Sequence, residues 1–237
     1  LKPLVSDHSE HPGPLRFRQL EGYRMPVMAY LAMDPLAEMT RSDYIRLAYT
    51  SGAGDRNALP YSERHLAEFE QSCCYDKYFD ADHFDEGLSI RLMCHDHAFL
   101  MVGDARRSFF TDPERGILGQ FRHQYFLLVL IVHMHKAALL MLSDRMVQTV
   151  TNLNTERPDS VRRFRTEIRA HLEKFLRFTH RYWFQEVSDQ VQARNVYRIL
   201  VSHIGTQHLY TDIRDELQDM SAYLDSDLLR RQSMTFL

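Results

Sequence analysis

Chain-breaking residues divide this 237-residue sequence in two: eight of nine glycines and seven of eight prolines lie at or before Gly119. Only Pro158 and Gly205 interrupt the remaining half. Proline removes a backbone donor and glycine weakens a helix, so long helices form where both are scarce. The C-terminal half is therefore expected to be mostly helix. A first helix over about 118–150 is apolar on most of its circumference around 126–132 and 137–142, the pattern of a helix buried on several sides. The polar stretch 151–160, with Pro158 near a new helix start, reads as a turn. In a second helix Val161, Phe164, Ile168, Phe175, Phe178 and Tyr182 recur at three- and four-residue steps, and Trp183 and Val187 extend the stripe. The pattern breaks or bends at Gly205. From Thr206 a third helix aligns Leu209, Ile213, Leu217, Met220, Leu224 and Leu228, with no stop signal before Leu237.

The N-terminal half carries a different texture. Residues 25–33, 89–94 and 98–102 read as strands, the last two joined at His95-Asp96-His97 as a hairpin. Residues 40–48 and 62–71 have helix-like spacing, and Ser62 followed by Glu63 and Arg64 makes a helix start. The expected fold class is α/β or α+β. After a flexible lead-in at 1–16, a mixed sheet with flanking helices occupies 17–117, and long helices over 118–237 form a bundle or stalk.

Composition narrows the function classes. A chain with 44% hydrophobic side chains can build a proper core, while a formal net charge of -3 lacks the basic excess that a phosphate backbone demands. Nucleic acid is not an expected partner. Three cysteines, two of them adjacent at Cys73 and Cys74, do not make a disulfide framework and fit a reducing compartment. The first residues hold no apolar run and do not form a signal peptide. The most membrane-like stretch is 125–142, but its uninterrupted apolar run covers only 125–132, about 12 Å of helix against a hydrocarbon core of about 30 Å. Lys136 then falls near its middle, at a cost of roughly 2.5–3.5 kcal/mol, so a helix buried in protein is expected there.

Few motifs carry chemistry. Gly52-Ala53-Gly54 begins like a dinucleotide fingerprint, but Asn57 occupies the third glycine position and Pro60 comes soon after, which leaves a loop between helices. No phosphate-binding loop, nucleophile elbow or His-Glu-x-x-His pattern occurs. Among 13 histidines, His95 and His97 would share a face of an extended strand and a zinc ion, although a hairpin tip does not assure that geometry. His133 and His135 share the spacing on a helix, where they diverge. Cys73-Cys74 lacks the gap of a zinc knuckle and reads as a pair of partly buried thiols. The string Asp80, Asp82, Asp85 and Glu86 begins like a calcium loop, yet Phe84 stands at a ligand position and the loop glycine is missing.

The third helix offers the best candidate site. Asp212, Asp215, Glu216 and Asp219 fall at i, i+3, i+4 and i+7 and line one face beside the apolar stripe. Like charges at that spacing repel by a few tenths of a kcal/mol unless a cation compensates. Two occupants are open: a divalent cation, or the basic second helix with Arg162, Arg163, Arg165, Arg169, Lys174, Arg177 and Arg181. A merely wet face is the third reading.

Three segments resemble a known family. The run from Phe109 through Leu128, followed by His135 through Arg145, is similar to the start of the long helix of bacterial CorA-like (CorA/ZntB superfamily) divalent-cation transporters. Cys74 through Phe79 and the closing Asp219 through Asp227 share the likeness, which covers roughly 73 to the end. The family's Gly-Met-Asn signature is absent from these residues. The resemblance implies a cytosolic regulatory domain on the cytoplasmic side of the cell inner membrane, a stalk helix feeding a membrane span, a homopentamer, and no catalysis. It implies magnesium as the ligand, with zinc, cobalt or nickel as alternatives. The chain is then expected to continue past Leu237 into an apolar span of about 20 residues, Arg230 and Arg231 lying just before it. The alternatives are a soluble helical interaction or regulatory protein, and a metal-dependent phosphohydrolase built around His95-Asp96, which lacks further converging ligands.

Overall fold

The segment Ala98–Asp104 is apolar along nearly its whole length, as a strand covered on both faces must be, and it becomes the central strand β6, buried throughout. The computed structural model describes residues 5–7, 15–17, 25–80 and 89–235, with side chains over 25–80 and 89–226. Two short strands, β1 (Val5–Asp7) and β2 (Leu15–Phe17), pair in parallel. They fall within or beside the expected lead-in. The main sheet has the order β3 (Val27–Met33), β6, β5 (Ile90–His95) and β4 (Cys74–Tyr78), with β3 parallel to β6 and the other pairs antiparallel. β5 and β6 form the expected hairpin, turning through Asp96 and His97, and Asp96 takes a positive φ of 54°. The fold class is as expected: a mixed sheet with flanking helices, then long helices.

Both faces of this sheet are covered, by different parts of the chain. Helices α1 (Arg41–Ala48) and α2 (Glu63–Cys73) press Tyr44, Ile45, Leu66 and Phe69 against Met93, Leu100 and Val102. A capping box starts α1, with the Thr40 hydroxyl accepting from the Asp43 amide and the Asp43 carboxylate accepting from the Thr40 amide. Leu92, Phe99 and Met101 point to the opposite face, against Phe121, Leu128, Val132, Val196 and Leu200. Gly103 is required beside this second core. A Cβ there would meet the ring of Phe110 at 2.4 Å, and Phe110, in α3 (Ser108–Thr111), stacks on Tyr30 at 4.5 Å between centroids.

The helical half begins with α4 (Ile117–Gln120), a π-type turn over Phe121–Tyr125, and α5 (Phe126–Thr151), a continuous helical run of 35 residues. By length and composition this run is apolar enough to cross a membrane, a test that the core helix of a soluble protein also passes. Burial on several sides was the expectation, and the structure corrects it. The sheet, α6 (Pro158–Arg181), α7 (Val191–Ile204) and α8 (Thr206–Thr235) take one side, while Phe126, Leu127, Leu130, Met134, Met141 and Val147 remain exposed on the other.

A second correction concerns Trp183 and Val187, expected to continue the second helix. That helix stops at Arg181, because Trp183 swings out to stack on Tyr210 at 4.5 Å and against His135 at 4.9 Å. Residues 182–190 form a loop, and α7 comes next as a separate helix ending at Gly205, whose φ of 75° favours glycine. In α8 the stripe lies largely where the periodicity places it. Ile213 and Leu217 pack among Leu139, Leu142, Met146, Phe175 and Phe178, and Leu224 packs on Phe164 and Ile168. The stripe is therefore met within its own chain as far as Leu224. The expected positions at Leu228, Arg230, Arg231, Met234, Phe236 and Leu237 lie outside the described side chains, as do Asp82, Phe84, Asp85 and Glu86.

Candidate metal centre

Two sets of side chains compete for this role, the four carboxylates of α8 and a group centred on Cys73. The carboxylates all lie on the exposed side of α8. Asp212 is 3.5 Å from His208 one turn earlier, and Asp215 is 2.7 Å from the neighbouring Arg214 guanidinium. A cation therefore already stands among them. Basic residues of α6 find partners on their own helix, Arg163 with Glu167 and Arg177 with Glu173.

The second set assembles from three distant elements. Cys73 is the last residue of α2, His95 the last of β5, and His203 lies in the final turn of α7. The Cys73 Sγ is 3.8 Å from His95 Nδ1 and 3.9 Å from His203 Nδ1. All three ligand atoms lie within 4.8 Å of one another, and among the described residues no other trio of His, Cys, Asp or Glu converges in this way. Cys73 is buried and both histidines are half-buried, so the cluster sits at the margin of the core.

Neighbouring groups fix the rings. His203 Nε2 lies 3.0 Å from the Ser72 carbonyl, an acceptor, so Nε2 carries the proton and the Nδ1 lone pair faces Cys73. His95 is held between the rings of Tyr49 and Phe69, at 4.4 and 5.2 Å between centroids. Burial, then the neighbouring His203, pushes the His95 pKa below its ordinary value. Burial also pushes the Cys73 thiol up, against a smaller opposing effect of the Ser72 hydroxyl. Cys74 and Cys94 are pushed up by burial to about 12. All three are free thiols, as the sequence suggests for the adjacent pair.

Two helices, α2 and α7, end at this point with their carbonyls and the negative ends of their dipoles, which favours a cation there. Between the three side chains themselves the contacts are weak sulfur hydrogen bonds, and a single thiol proton can reach only one of the two Nδ1 atoms. Comparison with protein-family models, curated proteins and solved structures found no match. Chemistry at this site rests on the chain's own geometry.

Sequence reasoning pairs His95 with His97. In the structure His97 Nδ1 lies 3.4 Å from the Asp96 carboxylate, while His95 Nδ1 faces the Cys73 sulfur at 3.8 Å. Sequence reasoning also misses His203. Its only local signal is a histidine two residues before a helix-ending glycine, which says nothing about Cys73. Another unforeseen polar group lies on the same face of β5, where buried Arg91 donates to Asp76 at 2.9 Å and Glu70 at 3.1 Å. Its guanidinium also stacks over Phe79 and Tyr44 at 4.7 and 5.2 Å, at the back of a cleft of about 540 Å³ that Arg41 and Asp80 help line.

Proposed function

We propose that this chain is the cytosolic regulatory part of a CorA-like divalent-cation transporter, acting at the cytoplasmic side of the inner membrane through segments outside this sequence, and that it carries no catalytic site. One observation carries the reading: a mixed sheet is followed by a helical half in which α7 runs through Gly205 into α8, a 30-residue helix of about 45 Å with Asp212, Asp215, Glu216 and Asp219 on its exposed side. Exposed carboxylates with waters between them suit magnesium, which gives up its hydration shell reluctantly. In this reading magnesium binds Asp212, Asp215, Glu216 and Asp219 through water, homopentamer contacts form elsewhere than the stripe through Leu224, and nucleic acid plays no part.

The decisive measurement is the thermal midpoint in magnesium for the parent and for the variant carrying Asp212→Asn, Asp215→Asn, Glu216→Gln and Asp219→Asn. The parent is expected to rise and the variant to stay level. Equal responses would remove the four residues from any cation site. Reading the gene downstream of Leu237 tests the membrane attachment independently, since an immediate stop codon is incompatible with it.

A second reading, a soluble helical interaction or regulatory protein, is favoured by one observation. The α8 stripe through Leu224 is occupied by α5 and α6 of the same chain, so α8 needs no copy of itself along that length. Sedimentation across concentrations separates the two, because a strict monomer supports the interaction protein.

A further inference from the structure

We propose that Cys73, His95 and His203 form a tetrahedral site for a thiophilic divalent cation, zinc being the best fit. The inference does not rest on the transporter reading. Zinc bonds of about 2.3 Å to sulfur and 2.0–2.1 Å to nitrogen, at tetrahedral angles, place sulfur and nitrogen about 3.6 Å apart. The observed 3.8 and 3.9 Å need to close by only a few tenths of an ångström. One thiolate and two imidazoles are a donor set that zinc accepts and magnesium does not. The Ser72 carbonyl on His203 Nε2 is the outer contact that orients a ligating imidazole, fixing its tautomer with Nδ1 free. Two converging helix C-termini add negative potential from α2 and α7. Three protein ligands leave the fourth position to water, and the half-buried histidines leave a way in.

The site would add a metal bridge between elements that already share the apolar core around Leu92, Val196 and Leu200. α2 and β5 belong to the sheet domain, whereas α7 leads directly into Gly205 and α8. A metal here pins the last turn of α7 to the sheet and fixes the origin of α8. When zinc enters, the Cys73 proton leaves to solvent and the sulfur lone pair forms the bond, so no oxidant or reductant is involved.

The test uses the full chain, stripped with a chelator, loaded with zinc or cobalt, and passed through a desalting column. One zinc per chain is expected, not displaced by a large excess of magnesium. Cobalt should give a thiolate-to-metal charge-transfer band in the near ultraviolet and ligand-field bands of tetrahedral intensity. Cys73→Ser and His203→Gln should lose stoichiometric zinc and the charge-transfer band, whereas Cys74→Ser and His97→Gln should keep both. Cys73 is buried, so if Cys73→Ser misfolds, His203→Gln at the half-buried helix end carries the decision. A parent that retains no metal, or a folded His203→Gln protein that binds cobalt with an unchanged spectrum, would overturn the proposal and leave a thiol hydrogen-bonded to histidine.

Discussion

Two polar clusters occupy the same face of β5, one around Arg91 and one around His95, four residues and about 13 Å apart. Around Arg91 the charges answer one another. Its guanidinium reaches Glu70 and Asp76, and Glu70 is gripped a second time by Arg41 at 2.7 Å. Burial raises the Glu70 carboxyl, but the bonds from Arg41 and Arg91 outweigh it and leave it below the usual range. For Asp76 burial wins over Arg91, and its carboxyl sits above that range. The cluster at His95 has no such closure, since it gathers three lone-pair donors and no permanent charge. A structural ion network supplies its own counter-charges, whereas a metal site is built to receive one.

Breaking the first cluster should have the largest effect. Arg91→Met removes the buried cation and leaves Asp76 without its partner, while Arg41 still holds Glu70. Loss of one member of a buried pair costs about 3–5 kcal/mol, and the surviving Arg41 contact places this variant at about 3 kcal/mol. Denaturant unfolding would measure it. A change under about 1 kcal/mol would mean that water already satisfies this network.

The second cluster should respond to metal and not to Arg91. Zinc at a hundredfold excess over its dissociation constant stabilises the folded chain by about 2.7 kcal/mol if the unfolded chain does not bind it. His203→Gln is expected to abolish that gain. Arg91→Met should retain it, because sites more than about 7–10 Å apart with no shared partner act additively. A zinc response that disappears with Arg91 would show that the two ends of β5 form one unit.

How much of the molecule is legible in the sequence depends on the range of each interaction. The hairpin, the start of α2 after Ser62, Pro158 at the start of α6 and the stripe of α8 are encoded within a few residues, so periodicity and turn chemistry find them. β4 escapes because its Cys-Tyr-Asp-Lys-Tyr sequence is a short edge strand with charged residues, which locally resembles a loop. The break after Arg181 escapes because Trp183, Phe184 and Val187 keep a helical rhythm without glycine or proline. The rings of Tyr210 and His135, both distant in sequence, hold Trp183 out of the helical path. The Cys73 cluster spans separations of 22 and 130 residues, so no local spacing could announce it.

Histidines in the helical half sharpen the contrast further. His135 donates to the Tyr182 carbonyl at 2.5 Å, and His171 meets the Thr149 hydroxyl at 3.0 Å, so each is used for packing. Burial is the main cause that lowers both pKa values, with Lys174 adding to it at His171. A lowered histidine pKa means that the unfolded chain takes up the proton first. Stability from these groups is complete above the unfolded value near 6.5 and declines as pH falls from there through the lowered folded values. The slope is at most about 1.4 kcal/mol per pH unit for each histidine. Urea midpoints between pH 7 and 5 should fall for the parent and fall less for His135→Gln; an identical pH profile would show that His135 titrates as it does unfolded.

The smallest effect should come from the four carboxylates of α8 in the absence of metal. Asp212 with Glu216, and Asp215 with Asp219, are like charges at i,i+4, so the amides relieve two repulsions of a few tenths of a kcal/mol each. The same changes remove the contacts of Asp212 with His208 and of Asp215 with Arg214, in which the aspartates are 47% and 54% exposed. Exposed pairs of that kind are worth about as little as the repulsions they offset. The quadruple variant should therefore lie within about 0.5 kcal/mol of the parent without magnesium. Against that flat baseline any magnesium-dependent difference reports the cation alone. A variant that is strongly destabilised before magnesium is added would place these carboxylates in the packing of the bundle, where the structure puts solvent.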